Sequence, residues 1–317
     1  MNHMSLVSDN AFGMLSRRSF LKRGTVVAGA AWDALRGQTL AGNTPNDSQK
    51  SRQRFKIGVC DWMMLKRQKL GAIPLAKEVG ADGVEVDMGS LGKRETFENA
   101  LADEKIRKQF LDSAHQNGME ICSLAMSAFY AQSFAERPTV PRMLGDCLDT
   151  MKAMGVRVAF LPLGVSGDLT KYPERRAAII ERLKSFAPAA EKAGIVIGLE
   201  TALDAAGEVK LLDAIGSPAI RIYFNFENPL QGGRDLHAEL RTLGKDRICQ
   251  IHATDQDGVL LENNPRIDMA KVKRTLDEIG WSGWLVIERS RDARDSRNVR
   301  RNFGANARYL KSVFQAN

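Results

Sequence analysis

The chain lacks several things that would have fixed its class at once. No stretch reaches the roughly 18 to 20 consecutive apolar residues of a membrane-spanning helix. There are only four cysteines, Cys60, Cys122, Cys147 and Cys249, and none lies in a CxxC pair. Cys60, Cys122 and Cys249 fall in apolar strand-like runs, where a free thiol packs as a small hydrophobe. A disulfide framework or a thiolate metal site is therefore not expected. No glycine-rich phosphate loop follows the first strand-like run, which argues against a dinucleotide-binding fold. No arginine stripe with interleaved aromatics is present either. The net charge is +8, of which residues 1–41 carry +3 through Arg17, Arg18, Lys22, Arg23 and Arg36 against Asp9 and Asp33. In the remainder acids are interspersed with bases, so nucleic acid is not an expected partner.

What is present is an ordinary globular composition, 44% hydrophobic and 26% charged over 317 residues. Length alone permits one large domain or two small ones. Near the N-terminus the chain reads Ser16-Arg17-Arg18-Ser19-Phe20-Leu21-Lys22, followed by a small-residue apolar run from Gly24 to Trp32 and by Thr39-Leu40-Ala41, a plausible cleavage region. This segment closely resembles a twin-arginine (Tat) export signal. The resemblance implies residues 1–41 as signal, the Tat translocase as a transient partner, and a periplasmic or cell-envelope destination. Because that translocase moves folded proteins, a metal could be acquired before export. Residues 42–53, rich in Pro, Asn and Ser, read as a linker.

From Phe55 onward, apolar runs alternate with amphipathic helical stretches. The runs are 55–60, 80–86, 119–126, 156–163, 195–200, 220–225, 248–252 and 284–288. Helical spacing covers 70–79, 103–117, 141–154, 173–193, 208–215, 234–243, 268–279 and 296–314. Strict alternation implies parallel strands joined by crossover helices. Eight such units match a closed (β/α)₈ barrel, a TIM barrel in a single domain over 54–317, better than an open sheet. Gly80, Gly118, Gly155, Gly194 and Gly280 stand where helices should end.

Four late runs end in residues able to hold a cation: Glu200, Asn225, His252 and Glu288. In a barrel, strand C-terminal ends converge on one rim, where the chemistry of such enzymes sits. Carboxylate, amide and imidazole together suit Mn²⁺, Mg²⁺, Co²⁺ or Zn²⁺. Each residue alone is ordinary; their joint placement makes the case.

The stretches 80–86 (GADGVEV), 197–200 (IGLE), 251–255 (IHATD) and 280–288 (GWSGWLVIE) resemble the xylose isomerase-like TIM-barrel superfamily, over about residues 55–315. That group holds sugar isomerases and epimerases, inosose dehydratases and endonuclease IV. The resemblance implies that Glu200, His252 and Glu288 match three ligands of its ketose epimerases. Asn225 stands where the family has Asp and would supply a neutral carbonyl oxygen, with Glu227 a compensating candidate. Thr254 replaces the Lys of a His-x-Lys-Asp motif, while Asp255 is kept. An epimerase removes a proton alpha to a carbonyl through an enediolate, with the cation polarising the carbonyl and two carboxylates exchanging the proton. Glu200 and Glu288 are the implied catalytic pair. Glu85 and Asp255 are candidates for binding substrate hydroxyls or orienting His252. Trp62, with the 126–130 segment, would offer aromatic faces to a sugar ring, and Arg289, Arg291 and Arg294 could meet an anionic group. The resulting expectation is a metal-dependent sugar or polyol isomerase/epimerase acting on a small carbohydrate, with homo-oligomers common in look-alikes. Two alternatives stand beside it: a keto-sugar or keto-inositol dehydratase on the same site, and a non-catalytic exported carbohydrate-binding barrel. The four histidines of the whole chain are too few for the metal cluster of an endonuclease.

Overall fold

A computed structural model describes residues 53–316. The leader, and the linker up to residue 52, lie outside the described residues. Eight strands run in chain order around one closed, all-parallel barrel. They are β1 (Phe55–Cys60), β2 (Gly83–Asp87), β3 (Glu120–Ala125), β4 (Val158–Pro162), β5 (Val196–Glu200), β6 (Ile220–Asn225), β7 (Ile248–His252) and β8 (Gly283–Ile287). The ring closes through β1 and β8, which pair from Phe55↔Gly283 to Val59↔Ile287. Outside it lie α1 (Ala72–Glu78), α2 (Glu104–Asn117), α3 (Val140–Met154), α4 (Arg176–Ala193), α5 (Ala205–Ile215), α6 (Glu227–Gln231), α7 (Leu236–Arg247), α8 (Met269–Glu278) and α9 (Val299–Phe314). The single barrel expected from the alternation is the fold observed.

Local chemistry explains the boundaries. Asp103, Asp204, Asp235 and Asp268 each accept a backbone N–H at the start of α2, α5, α7 and α8, satisfying donors with no partner inside the helix. Gly118, Gly155 and Gly194 end α2, α3 and α4 in the left-handed conformation, which an L side chain resists. The expected 173–193 helix begins as a separate 3₁₀ turn, Pro173–Arg175. The four thiols are free, Cys249 half-buried and the others buried.

The main apolar core joins strands and helices. A second, smaller cluster of Cys60, Trp62, Cys122, Ala125, Phe160, Tyr223 and Val286 includes residues packed around His252. The inward-facing layer toward the C-terminal mouth is not apolar throughout: Glu85, Ser123, Gln250 and His252 are all buried.

Candidate active site

Three strands deliver their last residue, and one its first beyond the end, to the same rim. Glu200 closes β5, Asn225 closes β6, His252 closes β7, and Glu288 follows β8. Asn225 and His252 are register partners. All four are buried. Ligand-capable atoms of Glu200, His252 and Glu288 lie within 4.8 Å of one another. His252 Nδ1 is 3.1 Å from Glu200 Oε2 and 3.5 Å from Glu288 Oε2.

Behind the imidazole lies a directed chain of hydrogen bonds. Gln250 Nε2 donates to Ser123 Oγ and Tyr223 Oη, each at 2.8 Å. Their two hydroxyl protons then go to Glu85 Oε2, at 2.6 and 2.9 Å. Glu85 Oε1 is left to accept from His252 Nε2, at 3.0 Å. Glu85 is thus a carboxylate surrounded by donors, and it fixes the imidazole with Nε2 protonated. Nδ1 is then the nitrogen that faces the two glutamates. A carboxylate behind a histidine in this way is the usual support for a metal-binding imidazole.

Nδ1 and the two Oε2 atoms therefore converge, and the neutral imidazole would add a third lone pair to those of the two carboxylates. Such a cluster calls for a positive charge between or upon its members. The donor types, borderline nitrogen and hard oxygen, fit a divalent cation. Without one, the charge falls on the imidazole itself. Burial by itself would lower the His252 pKa, but Glu288, Glu200 and Glu85 together hold it well above the ordinary value. Burial also raises the Glu288 carboxyl; the neighbouring His252 opposes this and Glu200 adds to it.

Asn225 meets the cluster differently from the sequence-based expectation. Its Oδ1 accepts the Glu227 backbone N–H at 2.9 Å. Its Nδ2 donates to Glu200 Oε2 at 3.1 Å and to Glu288 Oε2 at 3.4 Å. The amide nitrogen, not the expected carbonyl oxygen, faces the acids. The cause is local: the first backbone N–H of α6 needs an acceptor, and only Oδ1 of the side-chain amide can be one.

The cavity over this cluster has a volume of about 260 Å³ and is lined by Tyr130, Asp168, Lys171, Glu200, Asn225, Glu227, Asn228, Gln231, Glu288 and Arg289 among others. A larger depression of about 520 Å³ at the opposite end of the barrel is lined by Lys56, Asp82, Glu120 and Lys311. Those charges neutralise one another in pairs, and no residue from the C-terminal end of a strand lines it.

Of the other expected site residues, Glu227 lines the cavity, and burial pushes its carboxyl up to about 7 against the opposing charge of Arg289. Glu85 stands behind His252 rather than in the cavity. Trp62 is buried against Phe160, with ring planes 9° apart, and its edge meets the His252 ring. It supports the imidazole and is not among the cavity-lining residues. Asp255 is also set back, accepting from Asn264 Nδ2 at 3.0 Å. Of the three arginines after β8, Arg291 pairs with Asp257 and Arg294 with Asp292, while Arg289 lines the cavity. Ser290 next to it takes a left-handed φ of 61°, held by its hydroxyl bridging both backbone groups of Asp255.

The hydroxyl of Tyr130 was legible in the sequence only as part of an aromatic wall. It lies 3.0 Å from Glu200 Oε1 and 3.1 Å from Glu288 Oε1, on the 3₁₀ turn Ser127–Tyr130 that follows β3. Gly164 makes room for it: a Cβ there would fall 2.6 Å from Tyr130 Cδ1 and 2.7 Å from its Cα.

An eight-stranded parallel barrel with a buried acid–imidazole cluster at its C-terminal mouth has the architecture in which barrel enzymes place their active sites. Residues 73–313 match the family described as xylose isomerase-like TIM barrel, and the chain belongs to it. Over 207 residues the chain is 30% identical to 2-epi-5-epi-valiolone 7-phosphate 2-epimerase from Actinoplanes sp., covering 63% of this chain and 72% of that relative. Among solved structures it is similar to D-psicose 3-epimerase from Clostridium cellulolyticum, at TM-score 0.65 and 16% identity over 82% of this chain and 99% of that one. It is also similar to 3-keto-D-glucoside 4-epimerase from E. coli, at TM-score 0.63 and 13% identity over 81% and 99%. With this family and with a curated relative that is an epimerase, the chain is an enzyme of the isomerase/epimerase kind.

Proposed function

We propose that the protein is a metal-dependent sugar or polyol epimerase that inverts or moves a centre next to a carbonyl by proton abstraction and return. The observation that carries this reading is the placement of Glu200 and Glu288 in one cavity, bridged by the Tyr130 hydroxyl and backed by an imidazole whose tautomer is fixed. Glu200, His252 and Glu288 would hold a divalent cation, which supplies polarisation of a substrate carbonyl. One glutamate takes the proton from the neighbouring carbon and the other returns it on the opposite face. Tyr130, Asn228 and Gln231 offer hydrogen bonds to substrate hydroxyls around the cavity. The epimerase names of the relatives agree with this chemistry.

Export through the Arg17–Arg18 leader belongs to the same proposal, with the periplasm or cell envelope as the place of action. Cell fractionation of the chain and of an Arg17→Lys/Arg18→Lys variant tests it, and retention of only the variant in the cytoplasm is the expected result. The activity is tested by incubating the purified, metal-supplemented protein with a ketose and inosose panel in D₂O. Deuterium at a carbon next to the carbonyl, with appearance of the epimer, is expected. A dehydrated product without epimer would move the assignment to a lyase.

A further inference from the structure

We propose that Asn225 serves the cation centre as a hydrogen-bond donor and not as a ligand, so that only Glu200, His252 and Glu288 bind the ion through protein atoms. The inference rests on the reading that those three residues hold a divalent cation, and it deepens that reading. Three observations carry it. Asn225 Oδ1 is engaged by the Glu227 N–H at 2.9 Å. Its Nδ2 points inward, 3.1 Å from Glu200 Oε2 and 3.4 Å from Glu288 Oε2. Both acceptors are the same oxygens that lie nearest His252 Nδ1.

An amide NH₂ has two protons and no lone pair available for a metal. Its two protons match the two carboxylate oxygens one for one, so the side chain spans the glutamates and holds their spacing. Turning the amide over would leave the buried Glu227 N–H without an acceptor and set the one carbonyl oxygen against two carboxylates, each a costly change in a buried site. The orientation is therefore locked by the start of α6. The consequence is electrical as well as geometric. Two carboxylates and a neutral imidazole cancel a dication, whereas a third carboxylate would leave the centre anionic. The donated protons also draw electron density from the ligating oxygens. The centre should bind its ion more weakly than a four-ligand site and leave one more coordination position open to water or substrate.

The test uses the full chain with Mn²⁺ as probe, measuring affinity by calorimetry and counting metal-bound water by electron–nuclear resonance in ¹⁷O-enriched water. Three proteins are compared: wild type, Asn225→Asp and Asn225→Ala. Asn225→Asp places an oxygen where the amide nitrogen stands. It is expected to tighten Mn²⁺ binding at least tenfold and to expel one bound water. Asn225→Ala is expected to keep the wild-type water count, because no ligand is lost. A water gained in Asn225→Ala, with Asn225→Asp matching wild type, would make Asn225 a ligand and overturn the inference while leaving the three-residue centre in place. Absence of Mn²⁺ binding in all three proteins would overturn both.

Discussion

Replacing Glu85 by Gln tests the support of the site without touching the cavity. Glu85 accepts three hydrogen bonds, from Ser123, Tyr223 and His252. Gln keeps the shape but has only one acceptor oxygen. If that oxygen stays with the two hydroxyls, the new NH₂ faces His252 Nε2, donor against donor. The imidazole then relieves the clash by moving its proton to Nδ1. That tautomer donates toward Glu200 and Glu288 and has no lone pair for a metal. Loss of a carboxylate partner behind a metal-binding histidine typically costs 10- to 100-fold in metal affinity, about 1.4 to 2.7 kcal/mol. Mn²⁺ calorimetry on wild type and Glu85→Gln reads the affinity, and imidazole nitrogen chemical shifts read the tautomer. Unchanged affinity together with an unchanged Nε2–H tautomer would refute the reasoning.

Gly164→Ala should displace the Ser127–Tyr130 turn, because its Cβ would meet a backbone atom at 2.7 Å. The expected cost is about 1 to 3 kcal/mol of stability and a fall in turnover that matches Tyr130→Phe; denaturant melts and kinetics on both variants check it. Glu208 is buried behind Thr201, and burial pushes its carboxyl up to about 8 from an ordinary 4.5. The folded state then keeps a proton that the unfolded chain releases, so this group's stabilisation is complete below pH 4.5 and lost as the pH rises to about 8. The loss is on the order of 5 kcal/mol. Glu208→Gln should flatten that part of the stability–pH curve, and parallel curves for the two proteins would contradict it.

The barrel was legible because apolar runs ended abruptly on polar residues. Runs 55–60, 220–225 and 248–252 agree with β1, β6 and β7 to the residue; the first is flanked by Arg54 and Asp61, and the other two close on Asn225 and His252. The early start read for 80–86 reflects Gly80 and Ala81, apolar by composition but part of the turn after α1. Helix α6 went unread because its five residues, Glu227–Gln231, are too few to show a period and include a proline. That omission also hid the state of Asn225, whose amide is oriented by the first turn of α6. The polar ring of Glu85, Ser123, Tyr223 and Gln250 left a signal of one kind: Glu85 sits between Val84 and Val86 in β2, and a charged residue between two buried valines must find partners. Which partners depends on how strands far apart in sequence face one another across the barrel, and no local pattern encodes that.

Proton transfer by the two rim glutamates is the central step of the proposed reaction. The most direct measurement is solvent deuterium incorporation into a converted ketose by wild type, Glu200→Gln and Glu288→Gln, each shown to be folded by its melting curve. Exchange at the carbon beside the carbonyl in wild type, falling at least 100-fold in both variants, about 2.7 kcal/mol in the barrier, is the predicted result. Exchange persisting at near wild-type rate in either variant would contradict the assignment of that glutamate and with it the two-carboxylate mechanism.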